Sequence, residues 1–136
     1  MKNFNEASYL LIGDLTSINA VAAYAKRVGA AKTKVIIDTP DSINAAMVKQ
    51  HWPSHFEVID SSTGTDALDK ALINAVNSLN TKPQVFMGVE ASVNKRLLKR
   101  LTQELNIPKS NISASPYWKQ GVNANQLMLL KKLGAA

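Results

Sequence analysis

Tyr9-Leu10-Leu11-Ile12-Gly13-Asp14-Leu15-Thr16-Ser17 decides how the rest of the chain is read. Four apolar residues run without a polar break into Gly-Asp, and a hydroxyl pair then opens an amphipathic run. The pattern is that of a buried strand, a tight turn and a helix N-terminus. In an open α/β sheet, phosphate-bearing ligands sit at such junctions, where helix N–H groups are free and the helix dipole favours negative charge.

Moving outward, Ile18, Val21, Ala22, Ala25 and Val28 recur at helical spacing, and Gly29 supplies the stop. Thr33 to Ile37 is a β-branched run bounded by Asp38-Thr39-Pro40, hence a second strand. Pro40 suits the first turn of a short helix carrying Ile43, Ala46 and Met47. Phe56 to Ile59 gives a third strand, and residues 61–65 a loop ending in capping residues. Leu68, Ala71, Leu72, Ala75, Val76 and Leu79 form a helical stripe, and Val85 to Val89 a fourth strand. From Ser92 to Asn106 a helix carries Val93, Leu97, Leu98, Leu101 and Leu105 on one face, with Lys95, Arg96, Lys99 and Arg100 opposite. Asn111 to Ser115 is a fifth, short strand, and Leu127, Leu130 and Leu133 mark a last helix within residues 122–136. Apolar strands alternating with helices predict a single doubly wound α/β domain with a five-stranded parallel sheet.

The totals agree with one domain. The chain has 136 residues, of which 46% are hydrophobic and 19% charged, a globular balance. No apolar run approaches the ~20 residues that span a bilayer. The polar start, Met1 to Glu6, lacks the apolar block of a secretory signal, so a cytoplasmic protein is expected. Absence of cysteine excludes disulfides, thiolate metal sites and thiol nucleophiles. The net charge of +6 permits an anionic partner without choosing one.

Few residues stand out for chemistry. The first loop holds Gly13 alone and is not the three-glycine dinucleotide fingerprint. It reads either as a phosphate contact through the N–H groups near Leu15 to Ser17, helped by the Thr16 hydroxyl, or as a plain turn capped by Thr16 or Ser17. Asp38 ends the second strand where an acid would accept from a ribose 2′-hydroxyl and repel a 2′-phosphate, or else cap the next turn. His51 and His55 flank Pro53, which argues against a shared helix face, and no third ligand is near, so no metal site is expected. No serine has a triad neighbourhood. The basic helix face lacks interleaved aromatics, which makes nucleic acid an unlikely partner. Tyr117-Trp118, beside Lys119 and Gly121, either covers a planar ligand or packs the final helix onto the sheet.

With these residues in view, the chain resembles the C-terminal, nicotinamide-nucleotide domain of siderophore-interacting proteins, ferric-siderophore reductases related to ferredoxin–NADP reductase. Residues Leu11 to Ala20 look like the family's Gly-Asp-Glu-Thr-Ala-Leu-Pro-Ala loop. Val89-Glu90-Ala91-Ser92, leading into Arg96 to Arg100, is similar to its Gly-Glu-Ala-Ser segment and basic helix. Tyr117-Trp118-Lys119-Gln120-Gly121 matches its Tyr-Trp-Arg-x-Gly close. The similarity runs in order from Tyr9 to Gly121 and implies electron flow from NAD(P)H through FAD to a siderophore-bound Fe(III). By resemblance, Gly13, Asp14, Thr16 and Ser17 lie by the nucleotide, Glu90 and Ala91 near the nicotinamide, and Tyr117 and Trp118 near the flavin junction. Lys99, Arg100 and Lys119 would attract the anionic ferric siderophore.

The sequence also departs from the family. Leu15 replaces a Glu, Val89 replaces a Gly and brings a Cβ that can block close approach of a ligand to the backbone, and Asp60-Ser61-Ser62-Thr63 replaces a Trp/His/Arg-bearing segment. Only eight residues precede Tyr9, too few for a flavin barrel, given that a domain takes at least ~50. The expectation is an NAD(P)H-binding-like domain, inactive alone, that takes FAD only through a separate flavin-binding protein. The alternative is a non-catalytic binding module without nucleotide affinity that self-associates, for example as a homodimer.

Overall fold

Every residue of β1, Tyr9–Gly13, is buried, as an uninterrupted apolar run in a central parallel strand must be. The protein is described by a computed structural model covering residues 8–29, 33–79, 81–114 and 116–121. The expected helix around Leu127, Leu130 and Leu133 lies outside these residues.

Around β1 the chain lays down α1 (Ile18–Val28), β2 (Thr33–Thr39), α2 (Ser42–His51), β3 (Glu57–Asp60), α3 (Asp66–Asn77), β4 (Gln84–Gly88), α4 (Ala91–Lys99) and β5 (Ile112–Ala114). The five strands are parallel in the order β3-β2-β1-β4-β5. Strand order therefore reverses between β1 and β4, and the carboxyl ends of that pair form the crevice where such sheets bind ligands. Because side chains alternate along a strand, the sheet feeds two cores. Leu10, Ile12, Ile36, Val85 and Met87 pack with Leu68 and Leu72 of α3 and Leu97 of α4. Leu11, Val35, Ile37 and Phe86 pack with Val21 and Ala25 of α1 and Val48 of α2.

Several boundaries differ from those expected. Strand β2 runs on through Asp38 to Thr39, because these residues pair with Ile59 and Asp60. The Thr39 hydroxyl adds a bond to the Ile59 carbonyl at 2.7 Å. Pro40 precedes α2 without entering it, and Asp41 caps the helix by accepting from the Asn44 N–H at 2.8 Å. Phe56 leaves β3 for the core beneath α1 and α2, with Trp52 stacked on it at 6.4 Å. The single helix expected over 92–106 is instead α4 followed by a π turn, Arg100–Glu104, closed by Leu105 N–H on the Arg100 carbonyl at 2.9 Å.

Candidate functional site

At the carboxyl edge of β1 the chain must leave the sheet and enter α1 at once, and two glycines make this possible. A Cβ on Gly13 would lie 2.6 Å from Ser17 Oγ and 2.7 Å from Val21 Cγ2; one on Gly88 would lie 2.8 Å from the Tyr117 ring. Neither position tolerates a side chain without displacement of these neighbours. Ser17 stands at the N-cap of α1, yet its hydroxyl makes no capping bond. It accepts from the Asp14 N–H at 3.1 Å and donates to the Gly88 carbonyl. The hydroxyl thus acts as the last rung between β1 and β4 where the two strands begin to part.

Asp14 controls the start of α1. One carboxylate oxygen accepts from the Thr16 N–H at 2.9 Å and the Thr16 hydroxyl at 2.6 Å. The other accepts from the Trp118 indole N–H at 2.8 Å. The first free N–H of the turn, expected to meet a phosphate, is thus already bonded to the chain's own carboxylate. Glu90 does the same for α4: as N-cap it accepts from the N–H groups of Ser92 and Val93, from the Ser92 hydroxyl and from the Gln120 N–H at 3.3 Å. Partial burial pushes the Glu90 carboxyl up, but the bonds from Ser92, Gln120 and Val93 together outweigh it and hold it below the usual range.

Residues 117–120 strap this edge together. The Tyr117 N–H donates to the Val89 carbonyl at 2.9 Å, and the Ala91 N–H to the Trp118 carbonyl at 2.8 Å, so Trp118 bridges Glu90 in parallel fashion. The Tyr117 ring covers Gly88 and meets Phe86 edge-on at 6.2 Å. Tyr117 remains 42% and Trp118 38% exposed. The pair therefore closes the sheet edge and still presents aromatic surface.

Between strap, β1 turn and β2 lies a cleft of about 550 Å³, lined by Asp14, Leu15, Thr16, Asp38, Ser61, Glu90, Arg96 and Trp118 among others. Four of the residues expected at a nucleotide, Asp14, Thr16, Glu90 and Trp118, converge on it. Gly13, Ser17, Ala91 and Tyr117 build its frame without lining it. Lys99, Arg100 and Lys119 stand outside the lining. Val89 is buried in the core with Leu97.

Asp38 and Arg96 complete the electrostatics. Burial pushes the Asp38 carboxyl up, offset in part by the Ser61 hydroxyl bonded to it; nearby Asp14 raises it further and Arg96 opposes. Arg96 does not stand on an open basic face, as helical spacing suggested. Its Nη2 bonds Asp69 at 3.2 Å, and Arg100 bonds the other Asp69 oxygen at 3.0 Å and Glu104 at 3.0 Å. Lys95 and Lys99 are left exposed on that helix. Asp69, which the apolar stripe of α3 concealed, is the residue that sequence reasoning missed; its partners lie 27 and 31 positions away. His55 packs edge-on against Phe56 at 5.0 Å. Among the described residues no three metal-ligating side chains come together, and no helix is long and apolar enough to cross a membrane.

Comparison with known proteins gives a consistent answer. A family model described as siderophore-interacting protein matches residues 6–121. The structure is similar to the siderophore-interacting protein from Acinetobacter baumannii, with TM-score 0.67 at 16% identity, over 97% of this chain and 54% of that one. It is equally similar to the siderophore-interacting protein SipS from Aeromonas hydrophila, with TM-score 0.67 at 17% identity, over 96% of this chain and 53% of that one. The chain thus spans about half the length of these solved structures.

Proposed function

The chain belongs to the siderophore-interacting protein family, and on that premise we propose that it forms the nucleotide-facing half of a flavin-dependent ferric-siderophore reductase. The observation that carries the reading is the cleft at the β1–β4 switch point, walled by Asp14, Asp38, Glu90 and Trp118. Its residues fit a nicotinamide dinucleotide at the sugar and ring ends. Asp38, with Ser61, offers acceptors to ribose hydroxyls, while Leu15, Val93 and Trp118 offer apolar surface to a planar ring. A bound dinucleotide would supply the hydride, and the chain's task is to hold and orient it. The exposed ring of Tyr117, on the same edge, is the surface offered to a separate flavin-binding protein. A ferric siderophore is reduced only in that larger assembly.

Calorimetric titration with NADH and NADPH tests the binding step, and NADH oxidation on adding a flavin-binding protein of this family tests the assembly. Heat at micromolar nucleotide and a flavin-dependent gain in oxidation are expected. Silence in both refutes the reading and favours a second one, a binding or self-association module without nucleotide affinity. The observation behind that second reading is that Asp14 and Glu90 already occupy the N–H groups at the starts of α1 and α4.

A further inference from the structure

The helices that open on the cleft carry their own anions. Asp14 sits at the turn before α1, Asp41 caps α2 and Glu90 caps α4. Among the described lining residues the one cation is Arg96, and its guanidinium is bonded to Asp69, whose side chain is only 10% exposed. The cleft therefore faces a ligand with Asp14, Asp38 and Glu90 against one guanidinium that already has a counter-ion. Asp38 is placed within this group at the end of β2, paired with Ile59, and its oxygen accepts the Ser61 hydroxyl from the loop after β3. A carboxylate has about four lone-pair sites, so the bonds from the Ser61 hydroxyl and the Thr39 backbone leave capacity for two neighbouring hydroxyls of a ribose.

We propose that Asp38 is the specificity-determining residue of this cleft, selecting a dinucleotide with a free 2′-hydroxyl, NADH, over the 2′-phosphorylated NADPH. The inference rests on the nucleotide-binding reading above and adds the choice of nucleotide. A 2′-hydroxyl donates to the carboxylate, whereas a 2′-phosphate brings roughly two more negative charges against it. Asp14, Glu90 and the Asp69-bound Arg96 give that charge no unpaired cation in the cleft. Rejection here comes from like charge as much as from attraction of the preferred ligand.

The experiment is a titration of the whole chain with NADH and NADPH, repeated on Asp38→Asn, with 5′-AMP and 2′,5′-ADP as smaller probes that differ only in the 2′-phosphate. The expected result is NADH tighter than NADPH by about tenfold or more. Asp38→Asn, which keeps an acceptor and drops the charge, is expected to narrow the ratio to about threefold or less, chiefly by improving NADPH. The AMP pair reports the same preference without the nicotinamide half. Equal affinities, tighter NADPH, or a ratio unmoved in Asp38→Asn overturns the role of Asp38 while leaving nucleotide binding intact. Silence with all four nucleotides overturns the nucleotide reading itself, and this inference with it.

Discussion

Replacing Ser17 with alanine removes one oxygen atom, yet it strips two backbone groups of their partner. The residue is 1% exposed, and its hydroxyl lies between the Asp14 N–H and the Gly88 carbonyl. Each buried backbone group left unpaired costs about 1–3 kcal/mol. The space vacated by a hydroxyl is smaller than a water molecule needs, so solvent does not restore the bonds. A loss of about 3 kcal/mol is therefore expected for Ser17→Ala. Unfolding entropy near 2.1 cal/mol/K per residue, applied to 136 residues, turns this into a fall in Tm of about 10 °C. Thr16→Ala provides the contrast: that residue is exposed and its hydroxyl bonds only the neighbouring Asp14, so a change under about 1 kcal/mol is expected. Thermal and urea unfolding followed by circular dichroism measure both. If Ser17→Ala costs less than about 0.5 kcal/mol, or no more than Thr16→Ala, the hydroxyl is not the joint between β1 and β4 and the reasoning fails.

Two further outcomes follow from the charges. Asp69→Asn leaves Arg96 and Arg100 without their shared carboxylate, and because both arginines are about 30% exposed the loss is expected near 2 kcal/mol by urea unfolding; Glu104→Ala, at the exposed end of the network, should cost under about 0.5 kcal/mol. For Asp38 the sign of the pH dependence is set by its raised pKa, caused by burial, lowered somewhat by Ser61 and Arg96 and raised further by Asp14. The folded protein holds that proton more tightly than the unfolded chain. The resulting destabilisation is absent below the ordinary aspartate pKa and fully present above the raised one. Since only the ionised carboxylate accepts from both ribose hydroxyls, NADH affinity should fall as pH drops through the raised pKa, and the fall should flatten in Asp38→Asn, as calorimetry across pH 4–8 would record.

The sheet was legible because parallel strands leave a plain mark. Tyr9 to Ile12 and Val85 to Met87 are apolar runs with no solvent face, and strands of that kind need crossover helices on both sides. The place of the cleft was legible from the same mark, since Gly13 ends β1 and Glu90 and Trp118 follow the ends of β4 and β5. What each polar side chain does there was not legible. Spacing could say that Lys95, Arg96, Lys99 and Arg100 share a helix surface, but not that Asp69 on another helix claims both arginines. Ser17 and Thr16 are equivalent as capping residues, and only the parting of β1 from β4 assigns Ser17 to Gly88. The strap offered a recognisable Tyr-Trp pair, whereas its bonds to Val89 and Ala91 are made by backbone atoms that carry no sequence signature.

Asp14 and Trp118 are separated by 104 positions and joined by one hydrogen bond. That bond joins the two ends of the described chain, while Asp38, Ser61, Glu90 and Arg96 from its middle complete the cleft between them. During synthesis on a ribosome, α1, α2 and the first three strands can gather while the cleft still has no far wall. That wall arrives only when residue 118 has emerged, so the cleft is completed in one late step, and a chain cut short before that point would keep its strands and lack the Trp118 wall.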